Sequence, residues 1–406
     1  MKRTRFSRRD LLATTVAGAF AGLAGGSALG RAGLLASPVI KAGGRTLVLV
    51  QLSGGNDGLS MIVPGMDDAY HRARKSIAHK AKSLLPIDGT DLGFHPSLKG
   101  LRGHFDQGRV SIVSGCGYPN PNRSHFKSYE IWHTASAEGR ASGREGWVGH
   151  LMEAVYAEQA DANRVVHVGT KVPYSLYSST HPAASFVVPE NYRWAKIQGE
   201  VEAMDEGTTK TGKKAALDYV RGVMSDAVTS SDSIRRAVAG YRPGVRYPND
   251  ALGRNLATVA GLIAAGIGGR VLSVELGGFD THNNQRRRHD ALMATLNGGL
   301  SAFLDDLART QAGRETIVLV YSEFGRRVAE NGSSGTDHGT AGPMLVLGHA
   351  IQGGHFGRMP SLTDLDKGDL RFTTDFRSVY GEAIDKAFGA DHAKALGAHY
   401  PTLNCI

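Results

Sequence analysis

Six short runs of Val, Ile and Leu punctuate the chain, at Thr46–Leu52, Val110–Ser114, Val165–Val168, Val271–Leu276, Thr316–Tyr321 and Met344–Leu347. Most are continuous in apolar residues rather than alternating; Val271–Leu276 is interrupted by Ser273 and Glu275. A strand with one wet face alternates, whereas a strand that is apolar throughout is buried on both faces, as in a parallel sheet. Helical patterns fill the gaps, at Pro96–Gln107, Ser124–Ala135, Trp147–Gln159, Ala251–Ala265, Gln285–Ala308 and Thr374–Phe388. Strand and helix in alternation predict an α/β fold: a three-layer sandwich with a mostly parallel central sheet and helices on both faces.

The 406 residues suit one large domain, with residues 206–250 as an inserted helical segment or lid. That stretch opens on EGTTKTGKK and closes on YRPGVRYPND. Residues 350–373 are Gly-rich and read as an edge loop. The 53 glycines, with only 14 prolines and no Gly-X-Y repeat, exclude collagen and suit tight strand-to-helix turns. Two cysteines, Cys116 and Cys405, cannot build a disulfide framework or a four-thiolate zinc site. Whether they pair is left open by the sequence.

Residues 1–36 read as an address rather than as structure. A basic start, MKRTRFSRRD, precedes a weakly apolar Ala/Gly-rich stretch, and Ser7-Arg8-Arg9-Asp10-Leu11-Leu12 resembles a twin-arginine export signal. The twin-arginine export machinery is therefore an expected partner, and the expected location is periplasmic or extracellular. Residues 1–31 hold six of the basic residues against Asp10, so the rest of the chain carries only about +4 of the net +9. A balance that mild gives no reason to expect nucleic acid as a partner.

In open α/β sheets, ligands bind beyond the carboxyl ends of the strands. The first predicted strand is followed by SGGNDG with Asp57, and the second by GYPNPNRSHF with Arg123 and Ser124. The fourth is followed by GGFDTH with Asp280 and His282, and the fifth by SEFGR with Glu323 and Arg326. A loop carrying Thr336-Asp337-His338 leads into the sixth. Carboxylates and imidazoles together suit zinc, manganese or iron. Asp280 and His282, two positions apart, would point the same way from an extended segment and could share an ion. Glu323 and His338 can meet only if their loop folds back. Asp57 has a second reading, as a helix cap or turn residue. Ser124 likewise is either a helix N-cap or a nucleophile beside a metal. His95 reads as a helix-entry residue, and His289 and Asp290 as a polar helix face.

Taken together, RTLVLVQLSGGNDGLSMIVP, GYPNPNRSHFKSYEIWHT, LGGFDTH, YSEFGR and DHGTAGPMLVLG resemble the domain-of-unknown-function 1501 family of the alkaline-phosphatase-like clan. The resemblance spans residues 45 to 390. It implies a metal site at the strand ends, with Asp57, Asp280, His282, Glu323 and His338 as ligands and Ser124 as nucleophile. Two departures stand out: Glu323 is followed by Phe324, where the clan has a histidine, and Cys116 is followed by GYPN, which lacks the arginine of a formylglycine motif. The second argues against ordinary sulfatase chemistry.

The expectation is thus an exported metal-dependent hydrolase of phosphate or related esters acting on a small anionic substrate. Ser124 would attack, and Arg123 or Arg326 would clamp the anion. The cofactor would be a divalent metal, zinc first, with manganese, iron or calcium as alternatives. The competing reading is a non-catalytic envelope or surface binding protein of the same fold. A Ser-His hydrolase of acyl or glycan substrates is weakened by the lack of a G-x-S-x-G elbow. The sequence does not fix the oligomeric state.

Overall fold

Strand β1 (Leu47–Ser53) is the middle of the sheet, and its residues alternate between two cores. Val48, Val50 and Leu52 join one apolar cluster; Leu47 and Leu49 join the other. The computed structural model describes residues 44–136, 145–157, 161, 163–192, 228–267 and 270–406. The expected export signal (1–36) and residues 206–227 of the expected lid lie outside the described residues. Residues 228–240 are helical, and residues 241–250 that follow form no regular element.

The other strands of the main sheet are β2 (Val110–Gly117), β3 (Val165–Val168), β4 (Ala184–Phe186), β5 (Val271–Gly277), β6 (Ile317–Tyr321), β7 (Gly342–Gly348), β8 (Gly354–Phe356) and β9 (Thr374–Asp375). Their order is β8-β2-β7-β6-β1-β5-β3-β4, with β9 also pairing with β2. Every pair is parallel except those made by β7, which runs antiparallel to both β2 and β6. The sheet is the mostly parallel one that the apolar runs predict. All six expected strands form.

Helices cover both faces. On one side lie Lys99–Asp106, Ala251–Ala264 and Gln285–Leu307, through Leu101, Leu256, Leu300 and Phe303. On the other lie His125–Thr134, Trp147–Tyr156 and Phe376–Phe388, through Trp132, Trp147 and Tyr380. Ser273, the polar interruption in β5, stays buried by pairing with His167 of β3, 3.3 Å from Oγ to Nδ1. Glu275 lies at the exposed end of the same strand.

Three short edge strands escaped the sequence reading, because two or three residues are too few to show a run. Segment 350–373, expected as a loop, contributes β8 and a small hairpin of Leu365–Asp366 with Asp369–Leu370. The helix expected from Thr374 starts at Phe376, since Thr374 and Asp375 are held in the sheet and Asp375 caps the amide of Arg377. Cys116 and Cys405 are buried, unpaired thiols.

The direction of β7 positions the candidate site. Strand β6 ends at the carboxyl edge, and an antiparallel β7 must begin at that same edge. Residues 322–341 are therefore confined there, beside the ends of β1 and β5. The loop folds back on itself through an antiparallel bridge between Arg326 and His338, with Gly325 N–H donating to the Thr340 carbonyl at 2.7 Å.

Candidate metal centre

Four side chains from three segments converge at this edge. Asp280 Oδ1 lies 3.0 Å from His282 Nε2, 3.1 Å from His338 Nε2 and 3.8 Å from His125 Nε2. His282 Nε2 and His338 Nε2 are 2.9 Å apart. The expectation that Asp280 and His282 point the same way, and that the loop returns His338 to them, describes what is seen.

The far nitrogen of each imidazole meets an acceptor. His125 Nδ1 donates to Glu323 Oε1 (2.8 Å), His282 Nδ1 to Asp337 Oδ1 (3.2 Å) and His338 Nδ1 to the Arg123 carbonyl (2.8 Å). These contacts assign the ring proton of each neutral histidine to Nδ1. Three Nε2 lone pairs and one carboxylate oxygen then face one another. That donor set fits a divalent cation: His125, Asp280 and His338 cluster closely enough to share one, and His282 adjoins them through its contacts with Asp280 and His338.

Electrostatics tune the set. At Asp280, burial pushes the carboxyl upward, but the Arg326 guanidinium, hydrogen-bonded to it, outweighs that and holds the group down at about 2. The hydrogen bond from His125 to Glu323 raises the His125 pKa, which makes that imidazole a more basic ligand. Glu323 is buried, which disfavours its charge, yet His125, the Gly54 amide and Ser322 together keep its pKa below the ordinary value.

Several sequence expectations are corrected. Asp57 does not reach the cluster: it is fully buried, and its carboxylate accepts from Arg74 Nη1 (2.5 Å) and Nη2 (2.9 Å), Ser60 Oγ (2.6 Å) and Gln285 Nε2. Those contacts occupy both its oxygens. Glu323 lies one layer behind, as the acceptor that orients His125, rather than at the convergence point. Arg326 is 1 % exposed and cannot clamp a substrate. Its nitrogens donate to the carbonyls of Gly54, Gly55, Phe279 and Thr336 and to Asp280, so it ties the loops together. Gly54 makes that closeness possible: at φ +117°, a Cβ there would lie 2.4 Å from the Asp280 amide.

Ser124 sits at the N-cap position of His125–Thr134, exposed, and its hydroxyl makes no capping bond. It lies between Arg123, whose carbonyl orients His338, and His125. The Arg123 side chain pairs with Asp369 at 3.2 Å and remains 41 % exposed. Phe324 packs against the rings of His125 and His338, with ring centroids 4.9 and 4.8 Å away.

His125 is the residue the sequence reading missed. His125, Tyr129 and His133 recur every four residues, so they share a helix face, and the rings stack along it. That spacing was the available signal. His79, His95 and Asp290 form another cluster the reading dispersed, with His95 Nε2 2.7 Å from Asp290 Oδ1. Here Ser97 N–H donates to His95 Nδ1 at 3.0 Å, which places the ring proton on Nε2, pointing at Asp290. His79 Nε2 lies 3.9 Å from the same Asp290 Oδ1, and neither ring nitrogen of His79 has a hydrogen-bond partner among the described residues.

No curated protein matches the chain. Among solved structures, it is similar to a protein in the alkaline phosphatase superfamily from Vibrio parahaemolyticus, with 11 % identity and a TM-score of 0.35. That match covers 77 % of this chain and 62 % of the other, so the chain spans about three fifths of that protein's length. Ps i-CgsB in complex with k-i-k-neocarrahexaose matches at 10 % identity over 88 % of this chain and 73 % of that one, TM-score 0.38. The PsFucS1 sulfatase from Pseudoalteromonas sp. matches at 9 % identity over 85 % and 68 %, TM-score 0.35. The model of the family described as "Protein of unknown function (DUF1501)" matches residues 110–399, a stretch that carries His125, Asp280, His282, Glu323 and His338. With most of its length and all the converging side chains inside that match, the chain belongs to the DUF1501 family.

Proposed function

We propose that the protein is an exported hydrolase of phosphate or related esters that depends on a divalent metal held by His125, Asp280, His282 and His338. The observation that carries the reading is the convergence of three imidazole Nε2 atoms on Asp280 Oδ1. Three imidazoles and a carboxylate suit zinc best, then manganese or iron. Calcium takes oxygen ligands, and this set is poor in them.

A bound divalent ion would supply Lewis acidity to an ester oxygen and to a neighbouring hydroxyl. The chain's own residues do the rest. Ser124, free of capping duty at a helix start, is the nucleophile. Its Oγ bonds to phosphorus while the bond to the leaving alkoxide breaks, and the serine proton passes through solvent to that alkoxide. Water then hydrolyses the phosphoserine and restores the hydroxyl. Arg123 faces the anionic oxygen, while Arg326 holds Asp280 and the loop carbonyls in place. Export rests on the twin-arginine pattern of residues 1–36, which names the export machinery as a partner.

The test is elemental analysis of protein purified without chelator, followed by turnover of an ester panel. One equivalent of zinc, manganese or iron is expected. Asp280→Ala and His338→Ala should lose it, while Ser124→Ala should keep the metal and lose turnover. Metal-free protein that takes up no added ion overturns the reading. Stoichiometric metal with no turnover across the panel would transfer the assignment to a surface binding protein.

A further inference from the structure

We infer that the centre is matched to an ester bearing one negative charge, such as a phosphodiester, in preference to a doubly charged phosphate monoester. The inference rests on the metal-dependent reading and deepens it. It comes from the charges bonded to the four converging residues. Asp280 is held by Arg326, His125 by Glu323 and His282 by Asp337. His338 is held by the carbonyl of Arg123, whose side chain shares Asp369 with Arg327. Four carboxylates against three guanidiniums leave one net negative charge. A divalent ion converts that to one net positive charge, which one anionic oxygen balances. A second charge on the substrate would go unmatched.

The cations are committed in the same proportion. Arg326 spends its nitrogens on four carbonyls and Asp280. Arg327 gives Nη2 to the Lys367 carbonyl and faces Asp369 at 3.4 Å. Arg123 keeps 41 % of its side chain exposed, so one guanidinium remains for one anionic oxygen.

Calorimetric titration of the zinc-loaded full chain tests the charge preference. The probes are diethyl phosphate, with one charge, and ethyl phosphate, with two at pH 8. Diethyl phosphate should bind more tightly, by about tenfold or more, the worth of one unmatched charge-assisted contact. Arg123→Ala should weaken diethyl phosphate by a similar factor while the bound zinc stays at one equivalent. Tighter binding of ethyl phosphate, no binding of either probe, or indifference to Arg123→Ala would each overturn the inference. Hydrolysis of bis(p-nitrophenyl) phosphate is read in parallel. Probe binding in the expected order without turnover would sink the hydrolase reading and leave the charge preference standing. Turnover with the order reversed would do the opposite.

Discussion

Glu323 and His125, 198 positions apart in the chain, share a 2.8 Å hydrogen bond from Nδ1 to Oε1. That bond decides which nitrogen His125 presents to Asp280. The same Oε1 accepts the Gly54 amide, so one buried carboxylate oxygen links the helix that carries His125 to the turn after β1.

Glu323→Ala should therefore weaken zinc binding without removing a residue of the converging set. The expected loss is about 10–100-fold, the usual worth of a group that orients a metal-binding histidine. Glu323→Gln keeps an acceptor oxygen and should lose less. Competition against a chelating dye reads both; equal affinities for wild type and Glu323→Ala would show that the orientation of His125 is set elsewhere.

Arg326→Lys should be nearly as damaging as Arg326→Ala. One ammonium cannot reach four carbonyls and Asp280 from a buried position. Breaking a buried ionic network of this kind costs about 3–5 kcal/mol. Urea denaturation gives the loss in stability, and the zinc content of the folded fraction should fall with it. A lysine variant with wild-type stability and metal would contradict the role given to the guanidinium.

Asp57 gives a pH signature. Burial pushes its carboxyl upward, but the Arg74 guanidinium outweighs that and holds it at about 2, below its ordinary 3.8. A depressed folded-state pKa stabilises the protein above the unfolded value, and that stability is lost as pH falls from about 4 towards 2. The contribution is about 2 kcal/mol. Denaturation between pH 2 and 5 should show this slope in the wild type and a flatter one in Asp57→Asn. The variant should be less stable at neutral pH, yet its folded form should still bind one equivalent of zinc. Loss of the metal would return Asp57 to the ligand set.

Gly54→Ala should disturb the centre through the backbone. The new Cβ would fall 2.4 Å from the Asp280 amide at a φ of +117°. Gly89→Ala is the control, because φ there is +75° and no atom lies within 4 Å of the added methyl. Both variants bear conformational strain of about 1–3 kcal/mol, but only Gly54→Ala should also lose zinc. Thermal melts with and without chelator separate the two effects: the stabilisation by metal should persist in Gly89→Ala and shrink in Gly54→Ala.

The strands that bury both faces were legible because burial leaves few polar residues in them; β4, β8 and β9 are too short to carry that mark. Asp280, His282 and His338 were legible because they follow or precede such strands. Asp57 and Glu323 have the same chemistry at the same kind of position, and composition cannot tell a carboxylate facing a cation from one facing Arg74 or His125. Arg74 lies 17 residues beyond Asp57, and nothing local marks it as the partner. The role of His125 is set by a helix docking across the sheet, a tertiary event that the four-residue spacing with Tyr129 and His133 only hints at. Arg326 looked like a surface anion clamp because its five acceptors are mostly backbone carbonyls, which leave no trace in side-chain identity.

Strand β7 is the sole seam between the β2 side of the sheet and β6, β1 and β5, among the described residues. During translation, His125 leaves the ribosome with the first side, and Asp280 and His282 follow with the second. Until residues 342–348 are made, nothing in the sheet holds the two sides together. A nascent chain that ends at residue 341 carries all four converging residues in its sequence and lacks the strand that joins the two sides. Assembly of the cluster thus becomes a report on finished synthesis: these side chains are gathered only in a polypeptide long enough to close its own sheet.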